Sequence, residues 1–287
     1  MANGEQKWLV ESDWLASHLK APDLVILDGS MHLPTTKRNA KAEFLAAHIP
    51  GALFFDIDEI ADETSSLPHM LPSPTKFASR MKKMGVGDGM HVVAYDSEGL
   101  YSAARVWWMF RTMGHEEVRV LNGGFKKWKA EGRPLEDGPP RQRSPRHYTP
   151  VFNASLVRDA AEVKGLIHSP EAQIVDARAA GRFEGTVPEP RAGLRSGHIP
   201  SARNLPFASL INADGTLKSA SQLRQIFAAA KIDTDRPVVA SCGSGVTAGV
   251  IALALAVLGR PDAAVYDGSW SEWGADPSLP IATGPAR

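Results

Sequence analysis

The run Val238-Val239-Ala240-Ser241-Cys242-Gly243-Ser244-Gly245-Val246-Thr247-Ala248-Gly249 joins three patterns in twelve residues. An apolar β-branched stretch ends at a cysteine, a loop of small residues follows, and an apolar helical pattern begins. Read in order, these are the strand, turn and helix of a parallel α/β unit. The glycines let the loop backbone curl so that successive N–H groups point inward, and the helix start adds partial positive charge. Such a cradle stabilises an anion, whether a thiolate or a group attached to it. Cys242 also falls at the carboxyl end of the strand, where open α/β sheets place their ligands.

Working outward, the same landmarks occur twice. Leu27-Asp28-Gly29, His48-Ile49-Pro50, Val92-Val93-Ala94 and Gly123-Gly124-Phe125 come first, with Trp128. Val175-Asp176-Ala177, His198-Ile199-Pro200, Val238-Val239-Ala240 and Gly268-Ser269-Trp270 repeat them in order, with Trp273. The separations stay between 145 and 150 residues, which points to duplication. Strands are expected at Leu24–Asp28, Val92–Asp96, Val118–Leu121, Ile174–Asp176, Pro237–Ser241 and Ala263–Tyr266. Helices are expected at Ser102–Met113, Ala220–Ala230 and Val246–Leu258. Strands alternating with helices imply parallel sheets covered on both faces. The fold class is therefore α/β, as two tandem domains. The proline-rich run Pro134–Pro150 has no aliphatic stripe and reads as an exposed linker. The expected domains are 1–134 and 151–287, joined by a linker at 135–150.

Composition narrows the function. At 287 residues the chain has room for two domains of ordinary size. It is 43% hydrophobic and 22% charged, which excludes collagen-like, disordered and disulfide-scaffold classes. Thirty-two basic residues balance thirty-two acidic ones, so nothing favours nucleic acid or an anionic membrane. Cys242 is the one cysteine, which excludes an intrachain disulfide and suits a reducing compartment. The N-terminal run to Lys7 has no signal-peptide apolar core, and Val246–Leu258 is too short to span a bilayer. A soluble cytoplasmic protein is expected.

A free cysteine is most often a small buried hydrophobe. The strand–loop–helix setting argues instead for a nucleophile. Tyrosine phosphatases use the same cradle but need an arginine at the sixth residue after the cysteine, to clamp phosphate. Here that residue is Ala248.

With these motifs in view, the chain resembles the two-domain rhodanese family of sulfurtransferases over nearly its whole length. The resemblance is carried by His48-Ile49-Pro50-Gly51-Ala52, Phe54-Phe55-Asp56-Ile57-Asp58 and His69-Met70-Leu71-Pro72. It extends to Gly99-Leu100-Tyr101-Ser102-Ala103, Arg105-Val106-Trp107-Trp108 and Tyr266-Asp267-Gly268-Ser269-Trp270. The uncharged loop Cys242-Gly243-Ser244-Gly245-Val246-Thr247 is similar to that of members acting on 3-mercaptopyruvate. Members acting on thiosulfate carry basic residues there.

The resemblance implies two rhodanese-like domains and a catalytic Cys242 that carries sulfur as a persulfide. The N–H groups of Gly243, Gly245, Val246 and Thr247 would stabilise it. It implies that Arg182 and Arg191 hold the carboxylate and 2-oxo oxygen of 3-mercaptopyruvate. By composition alone each reads as a surface arginine; Arg178 ranks below both. It further implies that His48, otherwise read as a cap or core histidine, pairs with Ser244. The family's aspartate upstream of that histidine is Asn39 here, which can orient an imidazole but not stabilise imidazolium by charge. His198 reads as structural, and Trp107, Trp108, Trp270 and Trp273 as core or interface aromatics. Asp96 aligns with Cys242 and cannot carry sulfane sulfur, so the first domain is expected to be non-catalytic and to help wall the cleft.

The acceptor is expected to be a thiol, such as thioredoxin, or cyanide. No metal or organic cofactor is expected. The alternatives are a thiosulfate:cyanide sulfurtransferase and a non-enzymatic sulfur carrier or redox module.

Overall fold

The computed structural model describes residues 7–286. The run Met1–Gln6, part of the stretch read for a targeting signal, lies outside the described residues. The chain forms two compact units. Among the described residues, the first comprises 7–62, 71–153 and 212–217; the second comprises 63–70, 154–211 and 218–286.

In the first unit, β1 (Leu9–Val10), β2 (Leu24–Asp28), β3 (Leu53–Phe54), β4 (His91–Tyr95) and β5 (Val118–Leu121) form one sheet in the order β1-β5-β4-β2-β3. In the second, β6 (Val157–Arg158), β7 (Gln173–Asp176), β8 (Arg203–Asn204), β9 (Val238–Ser241) and β10 (Ala264–Tyr266) take the order β6-β10-β9-β7-β8. Every pairing in both sheets is parallel. Two identical strand orders are what duplication of one unit produces.

The inner strands owe their length to burial on both faces. All five residues of β2 and all four of β9 are buried, as expected for continuous apolar runs in a covered parallel sheet. The four two-residue edge strands had no pattern long enough to read. The helix Ala248–Val257 after the cysteine loop is buried at all ten positions, so it has no polar stripe and packs as a central helix. Trp128 and Trp273 are twins at matched places in the two units. Each indole N–H donates to a proline carbonyl at 2.8 Å, Pro134 and Pro280 respectively. Trp107, Trp108, Trp270 and Trp273 are fully buried.

The stretch 134–150 is exposed or half-buried at every position but Tyr148, and its residues group with the first unit. Tyr148 is 5% exposed and stacks on His115, with ring centroids 5.8 Å apart. Thr149 donates through its N–H and hydroxyl to the Asp88 carboxylate at 2.8 and 2.7 Å, and Asp88 N donates to His147 O. One aromatic anchor and these bonds outweigh the proline-rich composition, and the unit boundary falls after Asn153.

Candidate functional site

The second unit carries the cysteine loop. β9 ends at Ser241, Cys242 follows, and the helix starts at Ala248. The loop is pinned at its start by the segment after β10. Cys242 N donates to Ser269 Oγ at 3.1 Å, and Cys242 O accepts from Trp270 N at 3.0 Å. Gly243 O accepts from Ser271 N at 2.8 Å and from Ser271 Oγ at 2.7 Å. Ser269, fully buried, holds a left-handed φ of 49°, a strained backbone at the point that orients the cysteine amide. Gly245 turns the loop with φ 74°. Cys242, Ser244, Val246 and Thr247 are all buried.

Two guanidinium groups approach the loop. A Cβ placed on Gly243 would lie 3.1 Å from Arg182 Nη2 and 3.9 Å from Arg191 Nη1. The structure thus brings Arg182, Arg191 and the residue after Cys242 together, and it accounts for a glycine there. Arg182 sits in the short helix Ala180–Glu184 and gives Nε and Nη2 to the two oxygens of Glu189, at 3.2 and 2.5 Å. The Glu189 side chain is 2% exposed and also accepts from Arg178 Nη1 at 2.7 Å. Arg178 is spent on structure. It binds Asp176 at 2.6 Å and Gly197 O at 2.8 Å, and lies 4.2 Å from the Trp270 ring centroid. Arg191 differs: its Nη2 lies 3.2 Å from His69 Nε2, and no carboxylate among the described residues pairs with it.

Glu189, Ser269, Ser271 and His69 were not assigned roles from the sequence. Glu189 had the clearest signal, an acid fixed between Pro188 and Pro190 and close to both arginines in sequence.

The first unit displays what a loop of this shape holds. Asp96 stands where Cys242 stands, and its carboxylate accepts five backbone N–H groups. Oδ1 takes Glu98 N and Gly99 N, each at 2.9 Å; Oδ2 takes Tyr101 N, Ser102 N and Ala103 N at 2.8–2.9 Å. The loop is a working anion nest filled by the protein's own carboxylate.

His48 lies in the first unit, fully buried, stacked on Phe44 with ring centroids 4.0 Å apart. Its Nδ1 is 2.7 Å from Phe44 O, which can only accept, so Nδ1 carries a proton. Nε2 has no hydrogen-bond partner among the described residues. His198 repeats the arrangement, with Nδ1 2.8 Å from Phe183 O and the rings 3.7 Å apart, so this backbone bond belongs to the fold. Asn39 does not orient His48. Its side chain accepts from Ala42 N and caps the helix Ala40–Ala46, the usual use of asparagine at that position.

The profile of the rhodanese-like domain matches residues 11–131 and 159–276, and the chain belongs to that family. It is 46% identical over 275 residues to the 3-mercaptopyruvate sulfurtransferase of Escherichia coli K12, covering 96% of this chain and 97% of that one. It is also 46% identical over 272 residues to the thiosulfate sulfurtransferase of Bos taurus, covering 92% and 91%. The crystal structure of SseA, a 3-mercaptopyruvate sulfotransferase from Escherichia coli, matches with a TM-score of 0.84 at 43% identity. That match covers 92% of this chain and 99% of the other. Among the described residues no helix is long and apolar enough to cross a membrane.

Proposed function

We propose that the chain is a sulfurtransferase that takes sulfur from 3-mercaptopyruvate through a persulfide on Cys242. The observation that carries this reading is the convergence of Arg182 and Arg191 on Gly243, beside the chain's one thiol. A carboxylate a few atoms from the reacting sulfur matches two guanidinium groups at that spot.

Arg182 and Arg191 hold the carboxylate and 2-oxo oxygen. The Cys242 thiolate attacks the donor sulfur. The S–S bond forms, the S–C bond breaks, and its electron pair leaves as the enolate of pyruvate. The proton of the donor thiol is passed to the enolate carbon through the Ser244 hydroxyl, and pyruvate departs. His48 lies in the first unit with its Nε2 buried, and it is given no part in this step.

The persulfide left on Cys242 is an anion. By analogy with the Asp96 nest, backbone amides of the loop between Cys242 and the helix start at Ala248 are proposed to surround it, those of Gly243, Gly245, Val246 and Thr247 among them. A thiol acceptor, such as thioredoxin, or cyanide then attacks the outer sulfur and restores the thiolate. One reactive thiol per chain suits a reducing compartment, and the cytoplasm is the proposed location.

The test is steady-state turnover with 3-mercaptopyruvate and with thiosulfate, following pyruvate and the persulfide mass. Continuous pyruvate release and a single added sulfur absent from Cys242→Ser are expected. A stoichiometric burst without turnover would make the chain a carrier. Faster turnover of thiosulfate would overturn the donor assignment.

A further inference from the structure

The first unit has a cleft of 470 Å³ at the carboxyl ends of β2 and β4, lined by Asp28, Ser30, Glu43, Ser97, Lys126 and Lys129 among others. That is the size of a small-molecule site, at the end of a parallel sheet where such sites form. All of these residues belong to the first unit.

Duplication lets the cleft's charges be compared with those of the second unit. Asp28 matches Asp176, but Ser30 stands at the place of Arg178 and Glu43 at that of Arg182. The first unit therefore holds the acid without the cation. Asp28 is 3% exposed; its carboxylate accepts from Ser30 N at 2.9 Å, and no cation among the described residues pairs with it. A carboxylate buried in this way is a cost to the fold, and such costs gather at binding sites, where a ligand's charge relieves them.

The opposite charge stands on the wall of the cleft. Lys126 and Lys129 lie on the helix Gly124–Ala130, and neither pairs with a carboxylate among the described residues. Lys126 Nζ donates to Ala213 O at 2.8 Å, and Lys129 Nζ lies 5.6 Å from the Phe125 ring centroid. Glu43 is already engaged by Arg38 and His32. Ser97 Oγ is buried with no hydrogen-bond partner among the described residues, so it has a donor and an acceptor to offer. Phe44 and Phe125 supply apolar wall.

We propose that this cleft binds a small zwitterion, an α-amino acid with an apolar side chain. Its ammonium group meets the Asp28 carboxylate, its carboxylate meets Lys126 and Lys129, and its side chain lies against Phe44 and Phe125. The site does not depend on which donor Cys242 uses.

The test is isothermal titration calorimetry on the full chain at neutral pH, with L-leucine, L-methionine and L-phenylalanine. At least one should bind with a Kd of about 1 mM or tighter. The matching acid without the ammonium group and the matching amine without the carboxylate (isocaproate and isoamylamine for leucine) should each bind at least about tenfold more weakly. Asp28→Asn and the double variant Lys126→Ala/Lys129→Ala should each weaken binding by about tenfold or more. Thermal melting checks that the variants are folded. Both lysines are exposed, so the double variant keeps the test decisive if Asp28→Asn does not fold. Absence of binding by all three amino acids at about 10 mM overturns the proposal. So does equal binding of the matching acid, which would make the cleft an anion site, or parent-like binding by either folded variant.

Discussion

Asp96 and Cys242 occupy equivalent positions in the two units, each one residue past the end of its sheet's middle strand, and Asp96 fills the nest of its own loop with its carboxylate. Duplication has kept the cradle and changed its occupant. The carboxylate is 1% exposed and its acceptors match five donors, so it is a structural keystone of the first unit.

Asp96→Ala should therefore destabilise the protein by roughly 3–5 kcal/mol, because several buried amides lose their acceptor at once. Asp96→Asn should cost less, since one oxygen remains. Urea denaturation followed by circular dichroism measures both. A loss below about 1 kcal/mol for the alanine variant would mean that water replaces the carboxylate.

Restoring a cysteine should not restore a second site. Glu43-Phe44 aligns with Arg182-Phe183, both phenylalanines stacking on the matched histidine, so a glutamate stands where a donor arginine is needed. Glu43 is held below the usual carboxylate range by Arg38 and His32, and it stays negative. Asp96→Cys should carry no sulfur at position 96 after donor treatment. Two added sulfurs per chain by mass spectrometry would contradict this.

The three arginines of the second unit should separate by the kind of damage. Arg182→Gly and Arg191→Gly should lower kcat/KM for 3-mercaptopyruvate, each by about 2–5 kcal/mol of transition-state stabilisation, with folding retained. Arg178→Gly leaves Asp176 and Glu189 buried without their shared cation and should destabilise by roughly 3–5 kcal/mol. Kinetics and melting on the same three samples decide it. A folded Arg178→Gly with normal stability and lost activity would transfer the donor role to Arg178.

Gly243 tests the close approach. A methyl group there would sit 3.1 Å from Arg182 Nη2, which must then move. Gly243→Ala should lower kcat/KM for 3-mercaptopyruvate about tenfold with little change in melting temperature. Basic side chains at 243 and 244 looked, from the sequence, like a route to thiosulfate use. The structure places two guanidinium groups there already, so Gly243→Arg should displace them and lose the first donor without an equal gain in the second.

How much of this was legible can be traced residue by residue. The inner strands and the helices around both loops were readable because burial on two faces leaves long apolar runs, as at Leu24–Asp28 and Ala248–Val257. The edge strands, such as Arg203–Asn204, were too short to leave a pattern. Cys242 was readable because strand, loop and helix signals coincide on it. The partners of Arg182 and Arg191 were not. Glu189 matters only because folding buries its carboxylate between two arginines, and His69 only because a contact 122 positions away in sequence brings it to Arg191. Asn39 was misread as a partner of His48 because a side chain that caps a helix and one that orients an imidazole look alike in sequence.

Asp28 supplies a pH test that leaves the reaction aside. It matches Asp176, but where Asp176 has Arg178 two residues on, Asp28 has Ser30. Burial without a cation raises its pKa from 3.8 to about 6, against the lowering effect of hydrogen bonds from Ser30 and Tyr95. The sign follows from proton binding. The folded state holds the proton more tightly than the unfolded chain, so this group's contribution to stability is fully present below pH 3.8 and is lost as pH rises through about 6. The change is on the order of 3 kcal/mol, and at neutral pH the ionised carboxylate is a buried burden. Asp28→Asn keeps an oxygen for Ser30 N and removes the charge. It should therefore be as stable as the parent or more so at pH 7, by up to about 3 kcal/mol, and the gap between the two proteins should close as pH falls from 6 to 4. Urea midpoints for both proteins across that range are the measurement. A gap that is constant with pH, or one that widens in acid, would show that the folded state does not hold the Asp28 proton.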